Sequence, residues 1–225
     1  MNKFACLIAL LGSLLVIAST AEAQKKTYRN RTVESSFVLK YQDALKIDYE
    51  GGTWVDVSDD YGWGFRFGFN STEKLNIGFQ FDWISTPYRA YLAPADETTT
   101  GTTIRHKSDM WSGTVKGVYH FTNKRFTPYI EGGVGWATVD SNIASGPPVT
   151  GCWWHPWWGY ICDTWQGSYT DTSFAYEIGA GLRYEMTNTT FVRASVSNRW
   201  IDSDFATSSP SFYTAQFEIG AMIWD

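Results

Sequence analysis

Cys152, His155 and Cys162 come closest to a chemical constellation in this chain. They lie in GPPVTGCWWHPWWGYICDTWQ, Gly146 to Gln166, where the thiols bracket Trp153, Trp154, Trp157, Trp158 and Tyr160. Thiolate and imidazole are zinc ligands, but three donors at odd spacing in an oxidising space argue against a metal site. Cys6 falls in a targeting segment expected to be removed, and the even pair of cysteines left in such a space predicts a disulfide instead. Pro156 and Gly159 suit the chain reversal between them. We therefore expect a Cys152–Cys162 bond, with no metal and no cofactor. The five aromatics form a candidate binding loop, because exposed apolar patches mark contact sites. The plainer alternative is a self-packed cap on a rim.

A second set of residues could do acid–base chemistry. Lys40, Arg66, Lys116, Arg183, Arg193 and Arg199 fall on the same face of their segments as Asp82, Glu131, Glu177, Glu185 and Glu218. Carboxylates and cations sharing an interior could form a proton path or a general acid–base site. An unpaired buried charge is costly, so a nearly balanced set first predicts ion pairs. Nucleophilic catalysis needs a base within reach of a nucleophile. The only histidines are His106, His120 and His155, and no Ser/His/acid grouping emerges around them. We expect no catalytic residue and no enzyme.

The elements that carry these residues show strict period-two patterning. In YGWGFRFGFNSTEKLNIGFQFDW, Tyr61, Trp63, Phe65, Phe67 and Phe69 alternate with Gly62, Gly64, Arg66, Gly68 and Asn70. After the turn Ser71 to Lys74, Leu75, Ile77, Phe79, Phe81 and Trp83 alternate with Asn76, Gly78, Gln80, Asp82 and Ile84. One face is large and aromatic; the other is small or charged. The cramped face belongs inside, and an aromatic outside is stable only in lipid. This predicts an all-β fold, an eight-stranded antiparallel up-and-down transmembrane β-barrel.

The eight expected strands are 33–47, the two arms of that hairpin, 110–121, 126–139, 173–186, 190–201 and 211–224. Their connections alternate long and short. Short periplasmic turns and long extracellular loops are the rule for such barrels, which puts both termini in the periplasm. Thr86 to Asp109 and Asp140 to Thr172 read as the long exposed loops.

The first residues read as targeting: Lys3, an apolar Leu7 to Ile17, then Ala21-Glu22-Ala23. The expected organisation is a signal peptide over 1–23, a loose periplasmic lead-in over 24–32 and a barrel over 33–225. Twelve tryptophans in 225 residues suit the aromatic girdles of a barrel. A mean hydropathy of −0.26 excludes a helical membrane protein. The net charge of −5 and the lack of a basic run argue against nucleic acid.

These hairpins, with SGTVKGVYHFTNKRFTPYIEGGVGWATVD and FAYEIGAGLRY, resemble small eight-stranded outer-membrane barrels of Gram-negative bacteria, the OmpW-like and OmpA-like domain families. The resemblance implies a monomer in the outer membrane. Its partners would be outer-membrane lipid and lipopolysaccharide, and the barrel assembly machinery during biogenesis. Its role would be structural or surface-interacting, with a lumen plugged by charges. The OmpW-like resemblance implies an alternative, a narrow channel for small hydrophobic molecules. Asp225 ends the chain where these families end on an aromatic; Trp224 is penultimate.

Overall fold

A computed structural model describes residues 26–94, 100–202 and 209–224. The segment expected to be a signal peptide lies outside them. Twelve strands are present among the described residues: β1 (Thr32–Gln42), β2 (Leu45–Asp48), β3 (Trp54–Val57), β4 (Asp60–Asn70), β5 (Leu75–Leu92), β6 (Thr102–His120), β7 (Phe126–Ala144), β8 (Val149–His155), β9 (Gly159–Trp165), β10 (Ser168–Glu185), β11 (Thr190–Asp202) and β12 (Ser211–Trp224).

Eight of them close a ring. Antiparallel ladders run β1–β4–β5–β6–β7–β10–β11–β12 and return from β12 to β1. Closure leaves no free edge in the ring, so every strand satisfies its backbone on both sides. The register keeps like with like across each ladder. Trp63 opposes Trp83, and Trp83 opposes Trp111, forming one outward aromatic row. Phe65, Phe81, Val134, Ile178 and Ile219 are exposed on the same outer face. Their neighbours Arg66, Asp82, Glu177 and Glu218 are buried inside.

Glycine makes the inner face possible where strands crowd the lumen. A Cβ on Gly64 would stand 2.2 Å from Phe81 O and 2.8 Å from Asp82 Oδ1. One on Gly181 would meet the Tyr129 hydroxyl at 2.7 Å. The short turns are built by threonine: Thr72 Oγ1 accepts from Lys74 N and Leu75 N, and Thr187 Oγ1 accepts from Thr189 N and Thr190 N.

Four expectations change. The first strand does not run unbroken to residue 47. It stops at Gln42, Asp43 N makes one last bond to Tyr213 O, and β2 pairs with β3 instead. The stretch 86–109 is largely strand, because β5 and β6 stay paired from Leu75↔Tyr119 to Leu92↔Thr102. Pairing satisfies backbone groups above the apolar belt as well as within it. The stretch 140–172 likewise holds the end of β7, the start of β10 and a separate two-stranded ribbon, β8–β9.

The fourth concerns the lead-in. Residues 26–31 are packed across the short-turn end of the ring. Thr27 N donates to Asn123 O and Arg31 N to Asn70 O. Arg29 is fully buried, donating from Nε to Glu73 O at 3.0 Å and from Nη2 to Thr122 O at 2.8 Å. A guanidinium presents five donors, enough to collect orphan carbonyls from two turns at once. Lys26 adds an ion pair to Glu73 at 3.1 Å, and that hydrogen bond holds Glu73 below the usual carboxylate range.

Candidate functional site

The lumen is filled by two alternating ladders of charge. The first starts at the short-turn end. Arg29 Nη1 lies 3.3 Å from Glu185 Oε1, and Arg183 Nε lies 3.4 Å from the same oxygen. Arg183 Nη2 reaches Glu34 Oε1 at 2.7 Å, and Glu34 also pairs with Arg193. Arg193 continues to Glu218 at 3.4 Å, Glu218 to Arg66 at 3.5 Å, and Arg66 to Glu131 at 3.3 Å. Four cations and four anions alternate, so this ladder is neutral.

The second ladder lies nearer the long-loop end. Lys40 Nζ sits 3.4 Å from Asp82 Oδ2, and Arg199 Nη2 is 3.4 Å from the same oxygen. Arg199 Nη2 is 2.9 Å from Glu177 Oε2, and Glu177 also pairs with Lys116. Ser112 Oγ and Thr114 Oγ1 accept from Arg199 at 2.9 and 3.2 Å. All these side chains are buried. Charge-assisted bonds are stronger than neutral ones, and a buried charge needs its partners. The arrangement meets that demand by giving each acid cationic contacts from more than one direction, or, for Glu131, a single arginine.

Apolar side chains complete the filling. Phe191 lies beneath the Arg183 and Arg193 guanidiniums, 4.0 and 4.7 Å from ring centroid to Cζ. Ile84, Met110, Ala137, Ala175, Ile201 and Phe212 form a buried cluster beyond Arg199, toward the long-loop end. The closed end with Arg29, the charge ladders and this cluster succeed one another along the lumen.

The structure thus brings together all eleven charges singled out in the sequence: Lys40, Arg66, Asp82, Lys116, Glu131, Glu177, Arg183, Glu185, Arg193, Arg199 and Glu218. Two central members were missed. Glu34 shares the parity of Lys40 in β1, and counting back from Lys40 in steps of two reaches it. Arg29 precedes the strands, so no periodicity points to it.

The ribbon β8–β9 carries the second candidate site. Cys152 faces Cys162 in its register and the two are disulfide-bonded, 4.0 Å apart at Cα. Trp154 faces Tyr160 two pairs further out. At the reversal the His155 ring stacks on Trp158 at 4.5 Å, and His155 Nδ1 accepts from Trp157 N. No ladder joins this ribbon to the ring among the described residues. Trp157 is 87% exposed and Trp158 76%. The aromatics are therefore not packed into a cap; they project.

A family model described as the outer membrane protein beta-barrel domain matches residues 7–222. The chain belongs to the outer membrane protein beta-barrel domain family. One solved structure shares its fold, and others match more loosely. OprG, an outer membrane protein of Pseudomonas aeruginosa, matches at 12% identity and a TM-score of 0.56, covering 90% of this chain and 99% of its own. The N-terminal β-barrel domain of Pseudomonas aeruginosa OprF matches at 17% identity and a TM-score of 0.46, covering 86% and 98%. Neisserial surface protein A matches at 12% and 0.49, covering 86% and 97%. No curated protein matches the sequence significantly. This outer-membrane barrel therefore sits in lipid, which accounts for the exposed phenylalanines and tryptophans of its belt.

Proposed function

We propose that this barrel is a surface-interaction protein whose lumen is closed and whose working part is the disulfide-closed ribbon. One observation carries the reading: the charges inside pair with one another, whereas Trp154, Trp157, Trp158 and Tyr160 stand exposed on a ribbon closed by a disulfide. A group kept exposed and pre-ordered binds at lower entropic cost. In this reading the long-loop end faces outward from the cell and the termini lie in the periplasm, following the rule for short turns. The chain acts as a monomer.

It is not an enzyme in this reading. His106 is exposed on β6, His120 is buried at the short-turn end beside Lys74 O, and His155 stacks in the ribbon. These three positions share no site. The rival reading, a conduit for small hydrophobic molecules, would require both ladders to part. Planar-bilayer recording tests the two. The closed reading expects no steady conductance from purified protein; a stable open channel would overturn it. Binding of a partner that is lost on changing Trp157 and Trp158 to Ala, with the barrel folded, would support the ribbon's role.

A further inference from the structure

The β8–β9 ribbon is rooted well beyond the membrane belt. The tryptophan row Trp63, Trp83 and Trp111 meets β7 at Thr138, which faces Thr172 of β10. The β7–β10 ladder runs on to Ala144, opposite Ser168, and Ser145 N still donates to Gly167 O at 2.8 Å. From Thr138 to Ala144 the strand advances roughly 20 Å. Interfacial tryptophans mark headgroup level, so the ribbon starts above the protein's own bilayer. Its register places Cys152, Cys162, Trp154 and Tyr160 on one face, and Trp153 and Ile161 on the other. Aromatics are exposed on both faces, Trp153 included, so the ribbon is not laid flat against the ring.

The chemistry of the ribbon narrows its partner. Between Gly146 and Gln166 there is one carboxylate, Asp163, and no lysine or arginine. The polar side chains are engaged within the same stretch. The Thr150 and Thr164 hydroxyls bond each other at 2.8 Å, Asp163 Oδ1 accepts from Thr164 N at 2.8 Å, and Gln166 Nε2 donates to Gly146 O at 2.7 Å. His155 is taken up by Trp157 N and the Trp158 ring. A sugar hydroxyl, once desolvated, needs a free donor or acceptor beside the ring it stacks on, and those here are used. A protein surface would cover one face of this thin two-stranded blade, whereas immersion takes in both. What the tip offers is large rings whose indole N–H groups only donate. Such rings favour a bilayer interface, where acyl chains surround the ring and lipid oxygens accept from it.

We propose that Trp154, Trp157, Trp158 and Tyr160 insert into the interface of a neutral phospholipid bilayer facing the cell surface. The proposal deepens the surface-interaction reading and rests on it and on the outward orientation given above. The Cys152–Cys162 bond holds the strand pair behind the tip, so little order is lost on insertion. With no cation on the ribbon, burial of apolar rings drives binding, and salt does not screen it.

The test uses the full chain in lipid nanodiscs, with separate phosphatidylcholine vesicles as the probe. Wild type should float with the vesicles on a density gradient, equally at low and high salt, and should bind phosphatidylglycerol vesicles no more tightly. Trp157→Ala with Trp158→Ala should bind roughly tenfold to a hundredfold more weakly, while the heat-modifiable gel shift shows that its barrel is folded. Equal binding by wild type and variant, or no flotation of wild type, overturns the proposal; so does binding that salt abolishes. Iodide quenching separates the two bilayers. The emission missing from the double variant should be open to iodide before vesicles are added and shielded afterwards. Shielding from the start would place the tip in its own leaflet and overturn the assignment to a facing membrane. Glycan binding lost in the double variant, with no vesicle binding by wild type, would overturn insertion and leave the surface-interaction reading standing. Steady conductance in planar bilayers would overturn that reading itself.

Discussion

Arg199 on β11 reaches across the lumen to Asp82 on β5, Nη2 to Oδ2 3.4 Å, joining strands on opposite sides of the ring. The ring is thus braced from within by its own charges. Arg183 to Glu34 makes a similar span from β10 to β1.

Breaking such a brace from one side should be costly. Glu34→Gln leaves Arg183 and Arg193 facing a neutral amide. We expect a loss of ~3–5 kcal/mol, the usual range for stranding a buried charge. Urea unfolding in lipid, followed by the folded-barrel gel shift, measures it. A loss below 1 kcal/mol would mean that water or rearrangement replaces the carboxylate.

The lead-in should behave as part of the barrel. Arg29→Ala deprives Glu185 of a cation and two turn carbonyls of their donor. We expect a stability loss of ~2–4 kcal/mol, a charged hydrogen-bond set removed from a buried site. Conductance should stay absent, because the second ladder and the apolar cluster remain in place. Proteolysis of Lys26 to Arg31 should become faster in the variant than in wild type.

The belt can be mapped by placing charge on it. Ile178→Arg, at an outward position of the belt, should cost ~2–4 kcal/mol. Tyr169→Arg, also at an exposed position but near the start of β10, should cost much less. Equal costs by the same unfolding assay would mean that Tyr169 also lies in hydrocarbon.

The disulfide should order the ribbon without supporting the ring, since no strand of the ring pairs with it. Cys152→Ser with Cys162→Ser should leave the heat-modifiable shift unchanged. Trp157 and Trp158 already face solvent, so the emission maximum should move little. Fluorescence anisotropy should fall instead as the ribbon loosens. A lost gel shift would place the ribbon in the core of the fold.

The inward and outward assignment was legible in the sequence from alternation alone. Arg66, Glu177 and Arg199 could be placed inside because their neighbours Phe65, Ile178 and Trp200 are large and apolar, and period two leaves no third face. The pairing of the cysteines followed from their number and compartment. Alternation says nothing about height, however. It could not tell that β5 and β6 climb past the tryptophan row, because backbone pairing above lipid is as well satisfied by threonine and arginine as by phenylalanine.

What the sequence by itself determined is therefore the class of fold, the membrane-facing wall and the list of charges inside. Tertiary structure decided their partners. Glu34 meets Arg183 and Arg193 only because ring closure brings β1 opposite β10 and near β11, residues roughly 150 positions apart in the chain. Arg29 lies outside every periodic segment, and its burial depends on two turns that meet at one end of the closed ring. The physical reason is the same in both cases: period-two order is local, whereas a ring's diameter and its end are properties of all eight strands together.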